Sequence, residues 1–189
     1  MKKTISSLVA TIILGSLTLS ANTTKEIKIE AKTAIMKMGK TLKMNMKKSM
    51  KKGGVIGAFN FCTLSASQIE FDINKTYKDG VSVKRVTLKP RNPNNMASSD
   101  EKAVLNTFEK LQKEGKALPK MIVKEISKNH YKVYKPMVMG AVCLKCHGNL
   151  KTMNKEVVSL IKKYYPNDKA IDYKKGDFRG AFVADIIKK

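Results

Sequence analysis

"MIVKEISKNHYKVYKPM", residues 121–137, decides the fold class. Apolar and β-branched residues alternate with charged ones in its two halves, and Lys128-Asn129 sits between the halves. The stretch therefore predicts two strands joined by a tight turn. Working outward, "VSVKRVTLK" (81–89) follows Asp79-Gly80, a hairpin-type turn signal, and predicts another strand; "FRGAFVADI" (178–186) predicts the last. "PRNPNN" (90–95) cannot be regular structure, because two prolines and three asparagines interrupt it. Ser98 with Glu101 offers a capping box ahead of "AVLNTFEKL", a short helix. "NKEVVSLIKKYY" predicts a further helix, closed by Pro166-Asn167-Asp168.

The chain ahead of these strands reads as helix. Ile27, Ala31, Ala34, Met38, Leu42 and Met46 recur every three or four positions with lysines between them, an amphipathic helix over residues 24–52. Thr23 and Glu26 fit a capping box at its start, and Gly53-Gly54 fits a stop or a bend. A second helix is expected from Val55 to Tyr77, where Phe59, Cys62, Ala66, Ile69 and Ile73 form one stripe. That stripe places Cys62 on the buried face. Helices in front and antiparallel strands behind predict one α+β domain.

The first residues predict export. Lys2 and Lys3 precede an apolar stretch, Leu8 to Leu19, and Ser20-Ala21 follows as a cleavage point. The stretch is shorter than the ~20 residues that span a bilayer, which makes a permanent anchor the weaker alternative to cleavage. The organisation is thus a signal peptide over 1–21, an amphipathic helix over 22–54 and a domain over 55–189, in a periplasmic protein. Lys and Arg number 38 against 15 Asp and Glu, a formal charge of +23, of which Lys2 and Lys3 leave with the leader. Such a field favours anionic partners, an acidic redox or signalling protein or an anionic membrane surface; the alternative is that the lysines only form solvated helix faces. Nucleic acid does not suit an exported protein.

"AVCLKCHGNL" (141–150) carries the chemistry. Cys143, Cys146 and His147 stand at the spacing of a c-type haem attachment site. Two thiols three positions apart reach the two vinyl groups on one porphyrin edge, and the adjacent imidazole comes up beneath the iron. A structural zinc site takes four Cys or His ligands, and this chain has three Cys and two His, widely scattered. A thioredoxin-like dithiol opens a helix in a βαβ setting, which is not what precedes Cys143. One covalently bound haem c is the expectation.

The thioethers leave Cys62 over. An unpaired cysteine in an exported protein calls for an explanation: either it packs as a small apolar residue, or it binds the iron opposite His147. Met137, Met139, Met153, His130 and a lysine are the other candidates for that sixth position. Arg91 and Asn92, in the "RNP" turn, are candidate contacts to a haem propionate. Tyr131, Tyr134, Tyr164 and Tyr165 could line a haem pocket or pack in the core. Arg179 and Gly180 read as structural, the glycine allowing close backbone approach.

Four segments in order, "FNFCTLSAS", "VKRVTLKPRNPNN", "YKPMVMGAVCLKCHG" and "YYPNDKAIDYKKGDFRGAF", resemble a bacterial family of c-type haem proteins. The resemblance runs from about Cys62 to the C-terminus, with the N-terminal helix a looser fit. It implies a PAS-like antiparallel sheet with long N-terminal helices and one covalently attached haem. It also implies ligation by His147 and by Cys62 near the start of a helix. Members are sensor inputs, often fused to histidine kinases, or freestanding periplasmic proteins; the expectation here is the form without an attached kinase, and the N-terminal helix is unusually lysine-rich. The expected function is a periplasmic monohaem protein acting as a redox or small-ligand sensor. The alternative is a low-potential electron carrier docking acidic partners. No enzymatic activity is expected, because His130 is the only spare histidine and no distal acid–base pair is evident.

Overall fold

A four-stranded antiparallel sheet forms the centre of the molecule. The computed structural model describes the backbone of residues 14–189 and the side chains from Thr23 onward. Strands β1 (Val81–Val86), β2 (Ile122–Ser127), β3 (His130–Val138) and β4 (Phe178–Ile187) lie in the order β1-β4-β3-β2. The β2–β3 hairpin turns at Lys128-Asn129, where Asn129 takes φ 64°, a left-handed conformation that asparagine tolerates. β4 is the last strand in sequence yet sits between β1 and β3, so both of its edges are hydrogen-bonded.

Alternation along the strands feeds two cores. Val83, Val133, Ala184 and Ile186 point to one face, which α1 (Leu14–Asn60) covers with Ile27, Ala31, Ala34, Ile35, Met38 and Leu42. Val86, Tyr134, Ala181 and Val183 point to the other, covered by Val104, Leu105 and Phe108 of α3 (Ser99–Lys113). Each such large apolar side chain stabilises the fold by about 1.5–3 kcal/mol on burial. α3 begins with the expected capping box: Ser98 Oγ accepts from the Glu101 amide, and the Glu101 carboxylate accepts from the Ser98 amide.

The helical region departs from expectation in three ways. Thr23 and Glu26 do not start a helix, since α1 is already helical from Leu14; it runs through Ser20-Ala21. The expected leader lies mostly outside the described residues. Gly53-Gly54 bends the helix rather than ending it. Gly54 (φ 59°, ψ −152°) occupies a region open essentially to glycine alone, and helix resumes to Asn60.

The third departure concerns Cys62. A π-helical turn, Phe61–Ser65, separates α1 from α2 (Ala66–Asn74). Its wider turn adds one residue to the repeat and shifts the apolar stripe by that residue. Phe59 packs in a satellite cluster with Met153, Val157 and Ile161, whereas Phe61, Ala66 and Ile73 join the main core. Cys62 is left off the buried face and is exposed. An unbroken α-repeat had put it on the Ala66–Ile73 stripe.

Candidate functional site

The "CLKCH" segment is held where three parts of the chain meet. Ala141–Cys143 forms a 3-10 turn and Leu144–His147 a single helical turn, α4. Helix α5 (Lys155–Tyr164), capped by the Asn154 side chain, packs behind it and against the end of α1, with Cys146 touching the satellite cluster. A cavity of about 200 Å³ opens in front. Cys143, Cys146 and His147 line it from one side, Cys62 from the π-turn, and Arg91 and Asn92 from the "RNP" turn. Cys62, Arg91, Asn92, Cys143, Cys146 and His147 thus face one space. A wider groove of about 590 Å³ lies elsewhere on α1, around Glu30 and Tyr77, and no thiol or imidazole lines it.

Arg91 ties the site together. Its Nε and Nη2 donate to Asp168 at 3.1 and 2.9 Å, and Nη2 also donates to the Cys146 carbonyl at 2.6 Å and the Ala170 carbonyl at 3.3 Å. The side chains of Arg91 and Asp168 are only 10% and 5% exposed. The other Asp168 oxygen accepts from the Ala170 amide at 2.8 Å. Ala170 in turn accepts from His147 Nδ1 at 2.7 Å. A carbonyl can only accept, so Nδ1 carries the proton and Nε2 is left with a lone pair. Burial, with Arg91 and Arg179 nearby, pushes the His147 pKa well below its ordinary value and keeps the ring neutral. This is the arrangement of a ligating imidazole: one nitrogen oriented by a carbonyl, the other free.

The thiols sit in a crowded but open environment. Burial pushes the Cys146 thiol up to about 11, with Arg91 pulling the other way. Burial also raises Cys62, again opposed by arginines, Arg85 and Arg91. Protein packs densely round Cys62 although solvent reaches it; the cavity reconciles the two, since the side chain opens into it.

Arg179 was read as structural, and it lines the cavity too. Its Nη1 donates to Thr87 Oγ1 at 2.6 Å and to the Lys89 carbonyl at 3.0 Å, and its guanidinium stands 5.5 Å from the centre of the Tyr173 ring. Arg85 pairs with Glu70 and Arg91 with Asp168. Among the described residues no carboxylate lies within ion-pair distance of Arg179, although Asp168 is near enough to favour its charge. Asn92, by contrast, spends its side-chain oxygen capping the turn Pro93–Asn95.

Met46 and Met50 of α1 also line the cavity, and sequence reasoning missed them. Their only signal was the α1 stripe that reaches Met46. Met137, Met139, Met153 and His130 do not line it: Met139 and Met153 are buried, and His130 bonds Asp185 on the sheet at 2.6 Å. Of the four tyrosines, Tyr165 lines the cavity, Tyr134 is buried in the α3 core, Tyr131 packs against the α1 core, and Tyr164 is exposed beside Phe59. Gly180 does allow a close approach: a Cβ there would run into the Val86 carbonyl oxygen.

Fold and site together define a class: a helix-flanked, four-stranded antiparallel sheet with a cavity of thiols, imidazole and guanidinium at one end. The chain is similar to the crystal structure of the cyanobacterial haem-protein Tll0287, with a TM-score of 0.60 over 82% of this chain and 93% of that one; identity is 21%, so the likeness is one of fold. More particularly, the profile of the Tll0287-like family matches residues 20–186, and the chain belongs to that family. The match takes in α1, the part that the motifs left as a looser fit. No curated protein matches the sequence.

Proposed function

We propose that this chain is a periplasmic haem c protein that senses redox state or a small ligand. The observation that carries the reading is the convergence of Cys143, Cys146, His147 and Cys62 on one cavity, with His147 Nδ1 committed to Ala170. The haem-protein Tll0287 shares the fold, which supports the same cofactor here. The donor set fits a haem: two thiols at attachment spacing, a neutral imidazole with a free Nε2, and a third thiol from another element. A tetrapyrrole is larger than this cavity of about 200 Å³, so lining side chains would have to move to admit it.

In this reading Cys143 and Cys146 hold the porphyrin edge as thioethers and His147 holds the iron. Cys62, from the π-turn, would hold the iron as well. Arg179, with no carboxylate of its own, is a better partner for a propionate than Arg91, whose guanidinium is taken up by Asp168 and two carbonyls. Bound iron would supply one-electron and ligand-binding chemistry, and a thiolate ligand would favour the ferric state, whereas methionine raises the potential. No enzymatic role is assigned.

A second reading, electron transfer to an acidic partner, draws on Lys47, Lys48, Lys51 and Lys52, which sit among the cavity-lining Met46 and Met50 in sequence. The test is the chain purified from a host competent in haem c maturation. Its mass carries one covalent haem, the pyridine haemochrome is of the c type, and Cys62→Ala changes the ferric spectrum and lowers ferric stability. A polypeptide free of any tetrapyrrole adduct overturns the proposal. Rapid CO binding to the reduced protein favours the sensor; a six-coordinate iron in both states, exchanging electrons in a salt-sensitive way, favours the carrier.

A further inference from the structure

Between Ala31 and Ile69 the sequence holds eight lysines and no aspartate or glutamate. The structure sorts these residues by face. Ile27, Ala31, Ala34, Ile35, Met38 and Leu42 turn inward. Lys25, Lys32, Lys40, Lys43, Lys47 and Lys51 turn outward and are exposed. Among the described residues none of these six lies within ion-pair distance of a carboxylate. At 1.5 Å per residue the stripe from Lys25 to Lys51 extends about 39 Å. Three large apolar side chains stand among the lysines: Ile29, Met36 and Met44, 57%, 54% and 57% exposed.

We propose that this outer face of α1 is a docking surface for an anionic lipid bilayer. The proposal is independent of the haem reading, since none of these six lysines lines the cavity. Lysine stems snorkel, burying their methylenes while the ammonium reaches a lipid phosphate. Interspersed isoleucine and methionine enter the headgroup region, the pattern of a helix that lies in the interface. Clustered lysines gain attraction from an anionic leaflet without needing a fitted partner. A protein partner is the poorer match. Protein hot spots favour Trp, Tyr and Arg, and this face has none of them. A second copy is poorer still, because the same face would set lysine against lysine.

The test is sedimentation of the full chain with vesicles of phosphatidylcholine alone, or with about one-third phosphatidylglycerol. Binding is expected to be at least tenfold stronger to the anionic vesicles and to fall steeply with added salt. K40Q/K43Q/K47Q/K51Q is expected to lose at least tenfold of that preference, with unchanged far-UV circular dichroism. K102Q/K113Q/K120Q/K155Q, of equal charge change elsewhere, retains it. Three results overturn the proposal: equal affinity for the two vesicles, equal losses in both variants, or no vesicle binding alongside tight, face-dependent binding of poly-L-glutamate. The last reassigns the face to an acidic protein. None of these readouts depends on haem, so a failed attachment test leaves this one standing, and the reverse.

Discussion

At the scale of single residues, Arg91 has the most contacts to lose. It joins Asp168, the Cys146 carbonyl and the Ala170 carbonyl, and Ala170 in turn orients His147. Arg91→Ala leaves Asp168 buried without its partner, and breaking such a pair costs about 3–5 kcal/mol. Urea unfolding is expected to show that loss, and Arg91→Lys recovers only part of it because an ammonium cannot make the same fork. The residues of the motif were legible because attachment chemistry forces their spacing. Arg179 was not, since nothing local in "FRGAF" shows that Asp168 is claimed by another arginine 88 positions away in sequence from Arg179. Cys62 was legible as a leftover thiol, but its exposure was not, because periodicity alone carries no sign of a π-turn.

At the scale of elements, the bend in α1 positions the site. Beyond Gly53-Gly54 the helix leaves the sheet and carries Phe59 onto α5, behind the motif. Gly54→Ala is expected to destabilise the protein by about 1–3 kcal/mol through its backbone conformation alone, since a Cβ there meets nothing within 4 Å. Gly53→Ala, at φ −132°, is expected to be neutral or slightly stabilising. Denaturant midpoints of the two variants separate these outcomes. Helix α3 offers a second check. Burial by itself raises the Glu101 pKa, but the ion pair with Lys84, the hydrogen bond from the Ser98 amide and the charge of Lys132 outweigh it and hold it below the ordinary carboxylate value. A depressed carboxylate contributes stability that is complete above its unfolded value and is lost as pH falls through the folded one. Below about pH 4.3, Glu101→Gln is therefore expected to lose less stability with acid than the parent, while being the weaker protein at neutral pH.

At the scale of the whole molecule, an excess of 23 positive charges repels itself. Moderate salt screens that repulsion, so the thermal midpoint is expected to rise as ionic strength goes from low to physiological. A flat or falling midpoint in a salt series shows that local pairs such as Lys78–Glu30 and Lys84–Glu101 outweigh the field. The field is also uneven: α1 lacks acidic residues beyond Glu30, whereas Glu101 of α3, Glu114 just after it and Asp185 of the sheet stand in ion pairs.

The sequence by itself determined the four strands, the capped α3 helix, the amphipathic character of α1 and the attachment motif. Each is a local pattern, whether a repeat of two or 3.6 residues, a cap or a fixed spacing, and its physics acts within a few residues. Only the tertiary structure decided that β4 lies between β1 and β3, that Tyr134 belongs to the core and Tyr165 to the cavity, and that Met46, Met50 and Arg179 face the motif. Those outcomes depend on which surfaces meet across long separations in the chain. That is settled by packing and charge pairing, which no short window of residues encodes.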